Sequence, residues 1–109
     1  MELFAEYLKE RSGRELIEEP GVGFASFEIV GEECYIVDIF VRESARKLGH
    51  AAKLADKIAW RARVKGCTHL KGTVDLLCNG ARESTLALLH YGFRPVRAQG
   101  EVIFFRKDL

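Results

Sequence analysis

The sequence predicts an α/β domain in which a mixed sheet carries helices on its faces, and three observations lead there. Residues 35–41, YIVDIFV, hold five apolar side chains, with β-branched residues at Ile36, Val37, Ile39 and Val41. Bounded by Cys34 and the polar residues 42–44, this run reads as a strand buried on both faces. Downstream, Ala51, Leu54, Ala55, Ile58, Ala59 and Ala62 fall at helical spacing. Around this strand–helix pair the remaining segments give the order α-β-β-α-β-α-β-β.

Taken in order, residues 2–14 place Leu3, Phe4, Tyr7, Leu8 and Arg11 at helical spacing and end near Gly13. A second short helical turn is expected over residues 15–19, before Pro20 and Gly21 break it. Residues 23–30 alternate imperfectly, with Phe24, Ser26 and Glu28 set against Ala25, Phe27 and Ile29, and read as a strand. Gly31-Glu32-Glu33 then reverses the chain, so this strand and the next should be antiparallel neighbours. The long helix runs from about Gly49 to Lys65, with Gly66 as its stop. Residues 69–77 read as a strand interrupted by Gly72. Residues 81–91 read as a helix with Leu86, Leu88 and Leu89, stopped by Gly92. Residues 93–98 and 101–106 form a hairpin across Gln99-Gly100. With no repeat, linker or low-complexity stretch, a single domain over residues 1–109 is expected.

A composition of 48% hydrophobic and 30% charged residues is that of a folded globular chain. The net charge of +1 gives no global pull toward nucleic acid or membranes. Its distribution is uneven: residues 1–20 carry six acids against three bases, and residues 46–65 carry seven bases against one acid, Asp56. Lys53, Lys57, Arg61 and Lys65 form one ridge of the long helix. That ridge reads as a solvated face, with an acidic partner or nucleic acid as the alternative. Trp60 is the one aromatic among these bases, which argues against single-strand binding. No apolar run reaches the length of a membrane span, and the acidic opening does not resemble a signal peptide. Three cysteines without a C-x-x-C pair suit a reducing cytosol, so a cytoplasmic protein is expected. Cys67, His69, Cys78 and His90 match no zinc spacing, and no metal site is expected. Phosphate-loop and serine-hydrolase signatures are absent.

The chemistry sits between the central strand and the long helix. Arg46, Lys47 and Leu48 lead into Gly49, whose missing side chain lets an outside group approach the backbone. A strand that turns directly into a helix leaves N–H groups unpaired at the positive end of the helix dipole. An anion, above all a phosphate, suits that place.

IFVRESARKLGHA resembles motif A of the GNAT family of N-acetyltransferases, R/Q-x-x-G-x-G/A just after a strand. Arg46, Gly49 and Ala51 fill its three defining places, five residues beyond Val41. Tyr91-Gly92-Phe93 matches the family's Gly-Phe at a helix end, and a hairpin closes the chain. The resemblance covers about residues 22–109, and what precedes it reads as a trimmed version of the family's first strand and two helices. It implies a GNAT-like fold, with a mixed, mostly antiparallel sheet and helices on both faces. Acetyl-CoA would be the cosubstrate, its pyrophosphate wrapped by the amides of Lys47, Leu48, Gly49, His50 and Ala51, with Arg46 supporting the charge. The pantetheine arm would pair with Ile39, Phe40 and Val41 as an added strand does. The implied activity is acetyl transfer to a primary amine of a small molecule or a protein. The alternative is a degenerate relative that binds coenzyme A or a protein partner without transfer. A homodimer is a further family-level expectation.

Such a transferase needs a base for the amine and an acid for the departing thiolate. The family's usual acid is a tyrosine at the place of Leu88 here. Ser84 and Tyr91 lie four before and three after it on the same helix face, so either hydroxyl is a candidate. His90 falls elsewhere on a regular helix and reads as solvated. For the base, YIVDIFV resembles the Y-L-E-D-F-F-V strand of diamine acetyltransferases, whose glutamate is implicated in deprotonation. That place is Val37, while the aspartate is kept as Asp38. A carboxylate in a buried strand would have its pKa raised toward a base's range, which makes Asp38 the first candidate. A structural aspartate bonded to a nearby loop is the alternative, and Glu28 and Glu33 are further candidates.

Overall fold

The structure, a computed structural model, describes all 109 residues. Its elements are α1 (Glu2–Ser12), β1 (Glu15–Glu19), β2 (Gly23–Val30), β3 (Glu33–Val41), α2 (His50–Val64), β4 (His69–Asp75), α3 (Ala81–Tyr91), β5 (Arg94–Gln99) and β6 (Val102–Asp108). A 3-10 turn over Glu43–Ala45 interrupts the connection from β3 to α2. The six strands form one sheet in the order β1-β2-β3-β4-β6-β5. Every neighbouring pair is antiparallel except β3 and β4. A parallel pair needs a crossover, and α2 supplies it.

The apolar stripe foreseen on α2 is its buried face: Leu54, Ala55, Ile58, Ala59 and Ala62. It packs on Ala25 and Phe27 of β2, Cys34 and Ile36 of β3, and Leu70 of β4 within a single core cluster. Each of the larger side chains stabilises the fold by about 1.5–3 kcal/mol when fully buried. The alanines let the helix lie close to the sheet. α3 shares this face, since Leu88 fills the notch left by Gly72, where an added Cβ would come within 3.1 Å of its Cδ2. By contrast, α1 buries no residue and packs beside β1.

Two expectations are corrected. Residues 15–19 form an edge strand, not a helical turn, so the order is α-β-β-β-α-β-α-β-β. ELIEE has little strand propensity of its own. It is held by pairing with β2 and by Ile17 packing against the core. Ion pairs from α2 complete the attachment: Arg61 to Glu15 at 2.8 Å and Lys57 to Glu19 at 3.2 Å. Half of the basic ridge therefore clamps β1 and is not simply solvated. The uneven charge of the two segments is the signature of this contact.

The central strand is not buried on both faces either. Its first half alternates between buried and half-buried positions, and Asp38, Ile39 and Phe40 are exposed. Its pairing with β2 steps from Phe27↔Ile36 to Ser26↔Asp38, which leaves Val37 as the extra residue of a β-bulge. The bulge inverts the alternation, so Ile39 joins Ile36 on the helix side while Asp38 and Phe40 turn to the other face.

Gly23 is fixed by packing. A Cβ there would lie 2.1 Å from the Phe40 carbonyl oxygen. Gly23→Ala is expected to destabilise the protein by about 1–3 kcal/mol, read as a lower denaturation midpoint. The thiols give a second prediction. Cys34 and Cys67 are buried, at 0% and 7% exposure, and Cys78 is exposed. Burial, with Cys67 close by, pushes the Cys34 thiol up to about 12. A colorimetric thiol reagent at mild alkaline pH is expected to titrate only Cys78 in the native protein, and all three cysteines after denaturation.

Candidate active site

The parallel strands β3 and β4 pair only at Glu33↔His69, Cys34↔Leu70 and Tyr35↔Lys71. Beyond these, β3 stays on β2 as far as Val41, and β4 stays on β6 as far as Asp75. The two strands therefore fork, and the inner edges of both limbs carry unpaired backbone groups. On the helix side, a cavity of about 400 Å³ opens over the fork. Ile36 and Ile39 form its floor, Ala51, Ala52 and Ala55 one wall, and Ala87, Leu88, His90 and Tyr91 the other. The small residues of α2 make the room.

At the mouth of this space the chain from β3 enters α2. The amides of Ala45 and Arg46 are satisfied within the turn, and that of Lys53 bonds to the Gly49 carbonyl. Between them, six consecutive amides, those of Lys47 through Ala52, have no acceptor in the chain. Gly49 caps α2 at φ 83, and no side chain caps the helix. Lys47, at φ 64, is the one non-glycine residue with positive φ. Left-handed residues at both places curl the amides toward one side, a geometry that gathers anions. A Cβ on Gly49 would meet nothing within 4 Å, so the space in front of the loop is open. Arg46 reaches back, its Nε donating to the Val41 carbonyl at 2.9 Å and its guanidinium lying 5.8 Å from the Phe40 ring. It ties the loop to the end of β3. His50 Nδ1 is buried without a partner at the first residue of the helix.

The candidate catalytic side chains divide between the two faces. Asp38 is exposed on the face away from the cavity and accepts a hydrogen bond from Ser26 Oγ at 3.0 Å. The expectation of a buried carboxylate there is overturned, because the bulge and the fork expose this half of the strand. Tyr91 lines the cavity, but its hydroxyl donates to Asp56 Oδ1 on α2 at 2.5 Å. Burial, and next this bond, hold the phenol above its ordinary range. Ser84 is exposed and lies one turn away from the cavity wall. Glu28 is within 3.8 Å of Arg14, and Glu33 is shared by His69 at 3.2 Å and Lys71 at 3.6 Å. His90 is exposed, as expected, and it also lines the cavity, where its ring makes no hydrogen bond within the chain. The cavity spans α2 and α3, so its wall is broader than the stripe through residues 84, 88 and 91. Ala87, one turn before His90, is the small residue that could have signalled this.

The sequence model of the Acetyltransferase (GNAT) family matches residues 2–83. The chain belongs to the GNAT acetyltransferase family. The match begins well before residue 22, where the sequence resemblance was expected to start. No curated sequence gives a significant match. Among solved structures, the fold is similar to PaiA N-acetyltransferase of Thermoplasma acidophilum in complex with coenzyme A. The TM-score is 0.80 at 12% identity, covering 98% of this chain and 69% of that one. It is also similar to a GNAT acetyltransferase of Elizabethkingia anophelis with acetyl-CoA bound, at a TM-score of 0.73 and 20% identity, covering 99% and 82%. A GNAT acetyltransferase of Staphylococcus aureus Mu50 gives 0.74 at 17% identity, covering 95% and 75%.

GNAT enzymes use acetyl-CoA as cosubstrate, and the loop of this GNAT chain meets the requirements of a pyrophosphate: free amides, open space and the positive end of a 15-residue helix. Two side chains raised by the sequence resemblance, the glutamate of diamine acetyltransferases and the tyrosine, are absent here. Val37, in place of the glutamate, is the bulged residue of β3, and Leu88, in place of the tyrosine, packs against Gly72. Neighbouring residues therefore have to supply any acid–base chemistry.

Proposed function

We propose that this GNAT protein transfers an acetyl group from acetyl-CoA to a primary amine within a ternary complex. The observation that carries the reading is the run of six unpaired amides, Lys47 to Ala52, beside the fork of β3 and β4. Lys47, Leu48, Gly49, His50 and Ala51 would hold the pyrophosphate, with Arg46 keeping their loop in place. Ile39, Phe40 and Val41, unpaired on the side of β4, would take the pantetheine arm as a further strand. The cavity lies on the helix side of the fork and Asp38 on the other, so the thioester would enter from the cavity and the amine from the side of Asp38. The amine nitrogen attacks the thioester carbonyl, the carbon–sulfur bond breaks, and the acetyl group leaves on nitrogen. Asp38 accepts the amine proton, directly or through water. His90 gives the thiolate its proton, since Tyr91 is committed to Asp56 and Ser84 lies off the wall. Much of the rate comes from placing the amine beside the thioester. Three free thiols fit a cytosolic setting for this activity.

The test is release of free coenzyme A thiol when the purified protein is given acetyl-CoA and a panel of amines and lysine-bearing peptides. Amine-dependent release is the expected result. Acetyl-CoA binding without release to any acceptor would overturn transfer and leave a binding module.

A further inference from the structure

We infer that the amine accepted by this chain is a small molecule carrying a carboxylate or similar anionic group, read by Arg97 on the sheet face opposite α2 and α3. This rests on the transfer proposed above and names its acceptor. On that face a row of side chains crosses four strands. Tyr35 of β3 and Thr73 of β4 are joined hydroxyl to hydroxyl at 2.9 Å, where the fork begins. Thr73 pairs with Phe104 of β6, and Phe104 with Arg97 of β5. The guanidinium of Arg97 lies 3.9 Å over the Phe104 ring. Lys71 closes the row from the side, 4.7 Å from the Tyr35 ring centroid and 5.8 Å from that of Phe104. A shallow cavity of about 190 Å³ lies here, with Lys71, Arg97 and Phe104 in its lining.

The charges around this cavity are unequal. Its one acid, Glu33, is already engaged by His69 and Lys71, and Arg106 is held by Asp108 at 2.8 Å. Arg97 has no carboxylate partner. Its only side-chain bond runs from Nη1 to the neutral amide oxygen of Gln99 at 3.2 Å. A guanidinium held against an aromatic ring keeps its planar fork of donors restrained, and that fork matches a carboxylate two bonds at a time. Asp38, where the amine is to be deprotonated, stands on the same face beyond the fork's apex. β6 lies two strands from β3, so strand spacing separates Asp38 from Phe104 by about 10 Å or more. A linear ω-amino acid spans that distance. A simple alkylamine leaves Arg97 unmatched.

The experiment compares kcat/KM for 4-aminobutyrate and 6-aminohexanoate with butylamine and hexylamine, in the native protein and in Arg97→Gln. The expected result is at least a tenfold preference for the acids, lost in the variant, with the plain amines unaffected. Equal turnover of acid and plain amine, or a preference that survives Arg97→Gln, would overturn the inference while leaving amine transfer standing. If no amine is acetylated, the transferase reading fails by itself, and binding decides the site. In that case 6-aminohexanoate in the presence of coenzyme A is expected to shift the Arg97 Nε–H and Thr73 amide resonances, and hexylamine is not. No shift with 6-aminohexanoate would sink the anion site.

Discussion

Gly49→Glu is expected to weaken acetyl-CoA binding by at least about 100-fold in a calorimetric titration, because hydrogen bonds to a charged group are worth about 1.5–3 kcal/mol each and at least two would be lost. Two effects combine in this substitution, and a control separates them. Gly49 sits at φ 83, so any side chain strains the backbone by roughly 1–2 kcal/mol. A Cβ there touches nothing, so Gly49→Ala carries the strain alone and should bind only modestly less well. Glutamate adds a negative charge in the open space where the amides converge. A carboxylate near a helix N-terminus favours the helix, so the variant should stay folded. Binding as tight as that of the alanine variant would remove the loop from the cofactor site.

His90→Gln is expected to lower kcat by about 100-fold or more while leaving the acetyl-CoA dissociation constant unchanged, the usual effect of losing a general acid. Glutamine keeps the side chain's approximate reach and polarity but carries no transferable proton. Tyr91→Phe tests the rival donor. Tyr91 holds its proton against Asp56, so this change should reduce stability by about 1 kcal/mol, with little effect on kcat. The phenol's folded pKa is raised, so its contribution is complete below the ordinary phenol range and is lost as pH climbs above it. The native protein and the phenylalanine variant should therefore converge in stability only in strong alkali. A large loss of kcat in Tyr91→Phe with full activity in His90→Gln would exchange the two roles.

The strand–loop–helix at residues 35–63 was legible because its signals are local. β-branched residues, a glycine at a turn and alanines at helical spacing fix conformation with little help from elsewhere. The loop of unpaired amides came with it, since such amides follow from a helix start whatever the side chains. β1 was hidden because ELIEE becomes a strand only when Arg61 and Lys57 reach it across 46 and 38 residues of chain. Asp38 was misread because a bulge is a pairing event. Nothing in VDIF records that Val37 lacks an opposite number on β2. His90 was missed for a related reason, since the cavity is bounded by two helices and a helical wheel describes one.

In the proposed mode of binding, the fork between β3 and β4 also ties the cosubstrate to the integrity of the fold. From Ile36 to Val41 and from Gly72 to Asp75 the sheet is a ladder with one rail missing along its middle. A ligand that lays its own amides into that gap supplies the missing rungs and binds only the native form. At 100 times its dissociation constant such a ligand adds about 2.7 kcal/mol to the stability of the whole domain. The free protein is then expected to open first along the fork, and the bound protein is not. Its lifetime against proteolysis thus becomes a readout of cosubstrate supply.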